Sequence, residues 1–332
     1  MENEESFIET YKNIGIDVND LEDIDKLINT CIGIVSRNVR GRTDDETLEN
    51  ISRMKIAHAI LTNIYNRRPS MIYRMYVGKW GEGVTVSYNK LYNIDSTPVE
   101  KTLLSLMIAE RALLAKKGML KHASIAIVGL GGSGKTTYAV SSIVGASRIL
   151  NISNINKFIF FEPIDFIDFV KERLETKTWL PAVILDDVGA QISKYWVWLG
   201  QKWWAHLFSL LDHVKDWCGV LIITSGSFSI IPSGLRDKID LVIEANEVTY
   251  GRYIMNVFTW YRRDKYNMKT KNIPVYIDVM PPTMLMPKKM WMEMIEARRT
   301  IGIHRIDEIK KRIEEMKNEE NELEEDSYEQ DR

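Results

Sequence analysis

The sequence predicts an α/β fold: a mostly parallel sheet sandwiched by helices, with a small N-terminal α+β region ahead of it. Three observations predict it. Five short apolar runs, at 124–128, 157–161, 182–185, 219–225 and 241–245, alternate with stretches of helical character. That is the pattern of buried strands joined by crossover helices. The first run leads through a Gly-rich octet into the Pro- and Gly-free stretch 136–144, so strand, tight turn and helix follow one another. The third run ends in paired carboxylates, Asp186 and Asp187.

Bulk properties exclude several classes. Of 332 residues, 45% are hydrophobic and 27% charged, as in an ordinary globular protein. A net charge of -2 argues against a globally basic nucleic-acid binder, so any such contact must come from local patches. Cys31 and Cys218 belong to no metal or redox spacing and read as buried, reduced thiols of a cytoplasmic protein. The acidic start Met1-Glu2-Asn3-Glu4-Glu5 lacks the basic region of a signal peptide, and no apolar run approaches a membrane span.

Residues 1–95 read as an N-terminal module. Leu21, Ile24, Leu27, Ile28, Cys31, Ile32 and Val35 repeat at helical spacing, and Thr43 to Glu46 is a capping box opening a second helix to about residue 66. Runs at 71–77 and 83–88 flank a Gly-rich turn and predict a β-hairpin. Helices followed by a hairpin suit a winged-helix arrangement with Arg37, Arg40, Arg42, Arg67, Arg68, Arg74 and Lys79 near nucleic acid. The alternative is a module for oligomer or protein-partner contacts with solvated arginines. Thr97-Pro98-Val99-Glu100 predicts a helix start, with Gly118 ending that helix.

The core follows, over 96–245. Gly129-Leu130-Gly131-Gly132-Ser133-Gly134-Lys135-Thr136 matches G-x-x-x-x-G-K-S/T at every required position, with Thr137 next. Such glycines let backbone N–H groups approach phosphate oxygens at a helix N-terminus. Lys135 is then placed to bridge β- and γ-phosphates, and the Thr136 hydroxyl to ligate Mg²⁺. Residues 164–174 predict an amphipathic helix. After the strand at 182–185, Asp186 is the candidate Mg²⁺ holder and Asp187 the group that orients or deprotonates attacking water. The stretch 195–217, with Trp196, Trp198, Trp203, Trp204, Phe208 and Trp217, reads as core or interface more readily than as a base-stacking platform. Its His206 and His213 lack a third ligand and are read as no metal site. The strand at 219–225 ends in Thr224 and Ser225, candidates for sensing the γ-phosphate or lytic water.

Residues 246–310 are expected to extend the sheet and add helices. Thr249-Tyr250-Gly251 predicts a hairpin turn, and Tyr250, Arg252, Tyr253, Phe258, Tyr261, Arg262, Arg263 and Lys265 form a basic, aromatic run that suits nucleic acid or plain solvent. Val275-Tyr276-Ile277-Asp278 predicts a short strand and 287–299 a helix. Residues 311–332 read as a charged, acidic tail, its last dozen residues disordered.

These residues together resemble the additional-strand-catalytic-glutamate class of P-loop NTPases, and within it the AAA+ replication initiators and helicase loaders. The resemblance spans 124–245. It implies a five-stranded core sheet in the order 5-1-4-3-2, ATP and Mg²⁺ as cofactors, Mg-dependent ATP hydrolysis and a homo-oligomer acting on DNA. Thr224-Ser225 falls where that family carries a sensor residue, and 235–240 where it carries an arginine finger. Three positions depart: Asp187 replaces the family's catalytic Glu, Gly226 its sensor Asn, and Lys238 its finger. Arg236 is the remaining finger candidate, a tethered structural arginine being the rival role. The expected function is an ATPase motor or switch on nucleic acid, in replication initiation, helicase loading or DNA packaging. The alternatives are a nucleotide-controlled interaction protein with little hydrolysis, and a small-molecule kinase.

Overall fold

A computed structural model describes residues 18–39, 72–76, 96–99, 101–151, 158–188, 211, 213–251, 253–262, 273–280, 291–303, 306–307, 310–311 and 313–314. The helix expected from Thr43, the strand at 83–88, Arg40, Arg42, Arg67, Arg68, Lys79, most of the Trp-rich stretch, Arg263, Lys265 and the acidic tail beyond residue 314 lie outside the described residues.

In chain order the elements are α1 (Val18–Val39), β1 (Ile72–Tyr76), β2 (Ser96–Val99), α2 (Leu103–Lys116), β3 (Ala123–Val128), α3 (Lys135–Leu150), β4 (Ile159–Phe160) and α4 (Pro163–Glu175). Then come β5 (Leu180–Leu185), the one-turn α5 (Val214–Trp217), β6 (Cys218–Ser225), the one-turn α6 (Ser233–Arg236), β7 (Leu241–Tyr250), β8 (Tyr253–Arg262) and β9 (Ile273–Met280). The chain packs as two compact units, Met1–Leu285 and Met286–Arg332. The second unit contains a helix over 291–303, running past the expected end at Arg299.

The nine strands among the described residues form one sheet in the order β2-β1-β9-β8-β7-β3-β6-β5-β4. From β7 to β4 the neighbours are parallel. With the five core strands numbered along the chain, that stretch reads 5-1-4-3-2. From β7 to β2 every pairing is antiparallel. The expected mostly parallel five-stranded sheet is thus corrected to a mixed, nine-stranded one. The N-terminal β1 lies between β9 and β2 in that same sheet, so the partners of 72–76 are β9 and β2.

The Thr97–Glu100 helix start is also corrected. Ser96–Val99 is strand β2, with Tyr73 opposite Pro98. β2 is the sheet's edge, where a proline without an N–H is tolerated. Helix α2 starts five residues later, capped by Thr102, whose side chain accepts from Ser105 N at 3.0 Å and meets Ser142 Oγ at 2.7 Å. Gly118, at φ 76°, ends it as expected.

β3 is buried along its whole length, as a central strand covered on both faces must be. One face packs Ala126, Val128, Leu221 and Ile223 against Phe166 and Phe169 of α4 and Trp217 of α5. Trp217 meets Phe166 edge-on at 5.9 Å, so this member of the Trp-rich stretch is core. Elsewhere, Tyr138 of α3 stacks on Phe258 of β8 at 4.0 Å. Its hydroxyl receives Trp260 Nε1 at 3.1 Å and donates to Asp278 Oδ2 at 2.9 Å.

Candidate nucleotide site

The Gly-rich octet joins the C-terminal end of β3 to α3. Gly134 is the N-cap of α3 at φ 79°, and a Cβ there would overlap the side-chain amide of Asn256. A Cβ on Gly129 would overlap the Ala245 carbonyl oxygen and lie 2.8 Å from Ser133 Oγ. Glycine is therefore required at both positions, by left-handed backbone at one and by crowding at both.

Around this turn the structure collects most of the sequence-derived residues. Lys135 Nζ curls back over the loop, donating to the carbonyls of Gly129 at 2.8 Å and Leu130 at 2.7 Å. Thr136, on the first turn of α3, donates to Asp186 Oδ1 at 2.6 Å. Thr224, at the end of β6, donates to the same oxygen at 2.8 Å and accepts from Asp187 N at 2.8 Å. Asp186 and Thr224 are buried, whereas Asp187 is exposed. The Asp187 backbone is left-handed, φ 52°, a conformation Asp tolerates better than most residues. Leu130, Gly131 and Gly132 are exposed on the loop; Ser133 and Thr137 are buried.

The remaining candidates part company. Ser225 Oγ donates to Ser227 O at 3.0 Å, tying down the next turn, so Thr224 is the hydroxyl that faces the carboxylate. Arg236 closes α6, on the path returning from β6 to β7. Four residues on, Asp240 pairs with Ser124: Asp240 N donates to Ser124 O at 2.8 Å and Ser124 N to Asp240 Oδ2 at 2.9 Å. That pairing lies at the end of β3 remote from the loop. Burial pushes both thiols, Cys31 and Cys218, up to about 12, so they stay protonated and inert. Among the described residues no three His, Cys, Asp or Glu side chains form a metal cluster, and no helix is long and apolar enough to cross a membrane.

Sequence reasoning missed the wall on the loop's other flank. β7 passes Val128 at Glu244 and continues six residues to Tyr250 before turning at Gly251 into β8. Ala245, Glu247 and Asn256 of this hairpin stand against Gly129, Gly132 and Gly134. The available signal was Asn256 itself, an amide inside a mostly apolar strand run. Phe258, assigned to a basic, aromatic surface, is fully buried under Tyr138.

No protein-family model and no curated protein matches the chain. Solved structures similar to it include the flagellar accessory protein FlaH of Methanocaldococcus jannaschii, at 12% identity and TM-score 0.26, over 46% of this chain and 91% of that one. Another is the ATPase DotB of Legionella pneumophila, at 13% identity and TM-score 0.26, over 65% of this chain and 69% of that one.

Proposed function

We propose that this chain binds ATP with Mg²⁺ at the β3–α3 loop and hydrolyses it to drive a motor or switch. One observation carries the reading: a single buried carboxylate oxygen, Asp186 Oδ1, receives both Thr136 from the loop helix and Thr224 from the neighbouring strand. A hard cation takes hydroxyl and carboxylate oxygens, and Thr136 with Asp186 offers that donor set beside a phosphate-shaped turn. Bound there, the ion would supply charge neutralisation on the phosphates.

The chain's own residues supply the rest. Lys135 carries a positive charge at the mouth of the loop, held on the carbonyls of Gly129 and Leu130. Thr224 donates to the Asp186 carboxylate and accepts from the Asp187 backbone N–H, holding both residues at once. Asp187 projects into solvent beside this network as the group to orient or deprotonate water. Arg236 enters the proposal only as a finger reaching a neighbouring copy, which makes assembly part of the reading.

DNA is the proposed load. Phe258 and Trp260 are spent on packing α3, which leaves the exposed and part-exposed groups of 246–265 and the N-terminal module to make such contacts. A second reading, a nucleotide-controlled interaction protein with slow turnover, is favoured by Asp187, whose carboxylate is one methylene short and solvent-exposed.

The test is MgATP binding and turnover, with and without single- and double-stranded DNA. Lys135→Ala should abolish binding, while Asp187→Asn should bind and fail to turn over. Equal loss of binding in both would remove the role given to Asp187. DNA-stimulated turnover with ATP-dependent assembly supports the motor; binding without turnover supports the switch.

A further inference from the structure

β8 is a central strand, paired with β7 and β9, and its buried stretch reads Met255-Asn256-Val257-Phe258-Thr259-Trp260. Asn256 is 1% exposed, and its Oδ1 has no hydrogen-bond partner among the described residues. A buried amide with unmet capacity costs stability, and a Leu of similar volume would avoid that cost. An asparagine here needs a reason.

Its place supplies one. Asn256, Phe258 and Trp260 share a strand face by their period of two. Trp260 Nε1 donates to the Tyr138 hydroxyl, and Phe258 stacks on the Tyr138 ring. One helical turn before Tyr138 is Gly134, and there the Asn256 amide fills the space a side chain would need, with Phe258 Cζ 3.7 Å from the same point. The column thus tracks α3 up to its first residue and switches from aromatic to amide where the helix meets the loop. Ser133 Oγ, on the residue before Gly134, is also buried without a partner among the described residues.

We propose that Asn256 is a positioning residue for the phosphate loop, seating Gly134 so that the backbone N–H groups opening α3 converge on nucleotide phosphate. The inference rests on the nucleotide reading above. The Asn256 amide nitrogen lies nearest the Gly134 position and its Oδ1 keeps unmet capacity, polar character that an apolar seat would lack.

Two variants test it by calorimetric titration with MgATP, alongside melting. Asn256→Leu should melt at or above the wild-type temperature and yet bind MgATP at least about tenfold more weakly, a loss of about 1.4 kcal/mol. In turnover this should appear as a raised KM with kcat held within about threefold. Asn256→Asp, of the same shape, should weaken binding further at pH 8, and the deficit should shrink as the pH falls and the introduced carboxylate protonates. A core-filling role would give no such pH dependence. Asn256→Leu binding MgATP within twofold of wild type overturns the proposal, as does its failure to fold, which would make Asn256 a structural anchor. Failure of the nucleotide reading looks different: the wild-type chain itself would not bind MgATP.

Discussion

The two ends of β3 are built from similar residues and finished differently. At the start, His122, Ser124, Asp240 and the Cys218 carbonyl satisfy one another: His122 Nδ1 meets Cys218 O at 2.9 Å, Nε2 meets Ser124 Oγ at 2.7 Å, Asp240 N donates to Ser124 O, and Ser124 N donates to the Asp240 carboxylate. At the other end, glycines replace side chains, Ser133 Oγ and Asn256 Oδ1 have no partner among the described residues, and an exposed carboxylate sits on left-handed backbone. Both ends are turns leaving one buried strand. The start spends its hydrogen bonds internally; the finish has its own network but leaves two buried polar atoms unmet among the described residues, which suits the ligand end of the proposed reading.

The largest expected effect comes from closing the open end. In Gly129→Ala the added methyl would overlap the Ala245 carbonyl, a backbone atom that cannot move without shifting β7. The variant should lose about 3 kcal/mol of stability together with MgATP binding. Normal melting with normal binding would show that β7 does not hold the loop in place.

Next is Thr224→Val, which keeps the strand and deletes the hydroxyl shared by Asp186 and Asp187. Losing one buried and one part-buried hydrogen bond should cost about 2 kcal/mol. Turnover should fall at least about tenfold, because both residues lose their reference point. MgATP binding should be largely kept, since Thr136 still reaches Asp186. Activity at the wild-type level would mean that the network is structural at this end too.

How much of this was legible in the sequence follows from the range of the forces involved. The octet, the Asp186-Asp187 pair and Thr224 were visible because local strand–turn–helix patterning places them at one edge of the sheet wherever the strands pair in parallel. Of the antiparallel half, the β7–β8 hairpin and the strand near 275–278 were expected to extend the sheet, whereas the joining of β1 and β2 to it was not visible. The pairing of β1 with β9 joins residues about 200 apart, and no local pattern encodes it. Thr97-Pro98 misled because a capping signature and an edge strand both accept proline; the edge position that decides between them is a tertiary fact. Asn256 was hidden inside a strand that looked merely basic and aromatic, since only the hairpin's reach beyond Val128 brings it to Gly134.

A smaller effect separates charge from backbone at Asp187. Asparagine tolerates the left-handed conformation about as well as aspartate, so Asp187→Asn should melt like wild type while losing turnover. Asp187→Ala should lose turnover equally and in addition about 1 kcal/mol of stability. Identical melting of the two variants would show that the φ of 52° stores no strain that matters.

The smallest effect belongs to the closed end. The Cys218 carbonyl can only accept, so His122 Nδ1 carries the proton and a neutral ring accepts from Ser124 Oγ at Nε2. Burial holds the His122 pKa below its ordinary 6.5, with Arg111 adding to the depression while the Cys218 carbonyl and Asp240 partly offset it. The neutral form is thus favoured in the fold, and the unfolded chain binds the proton more readily. The contribution to stability is complete above about pH 6.5 and is lost as the pH falls through the folded-state pKa. Melting of the wild-type chain should decline between pH 7.5 and 5 more steeply than melting of His122→Gln, with MgATP binding at pH 7.5 equal in both. A variant that lost binding instead would tie the start of β3 to the site and break the contrast between its two ends.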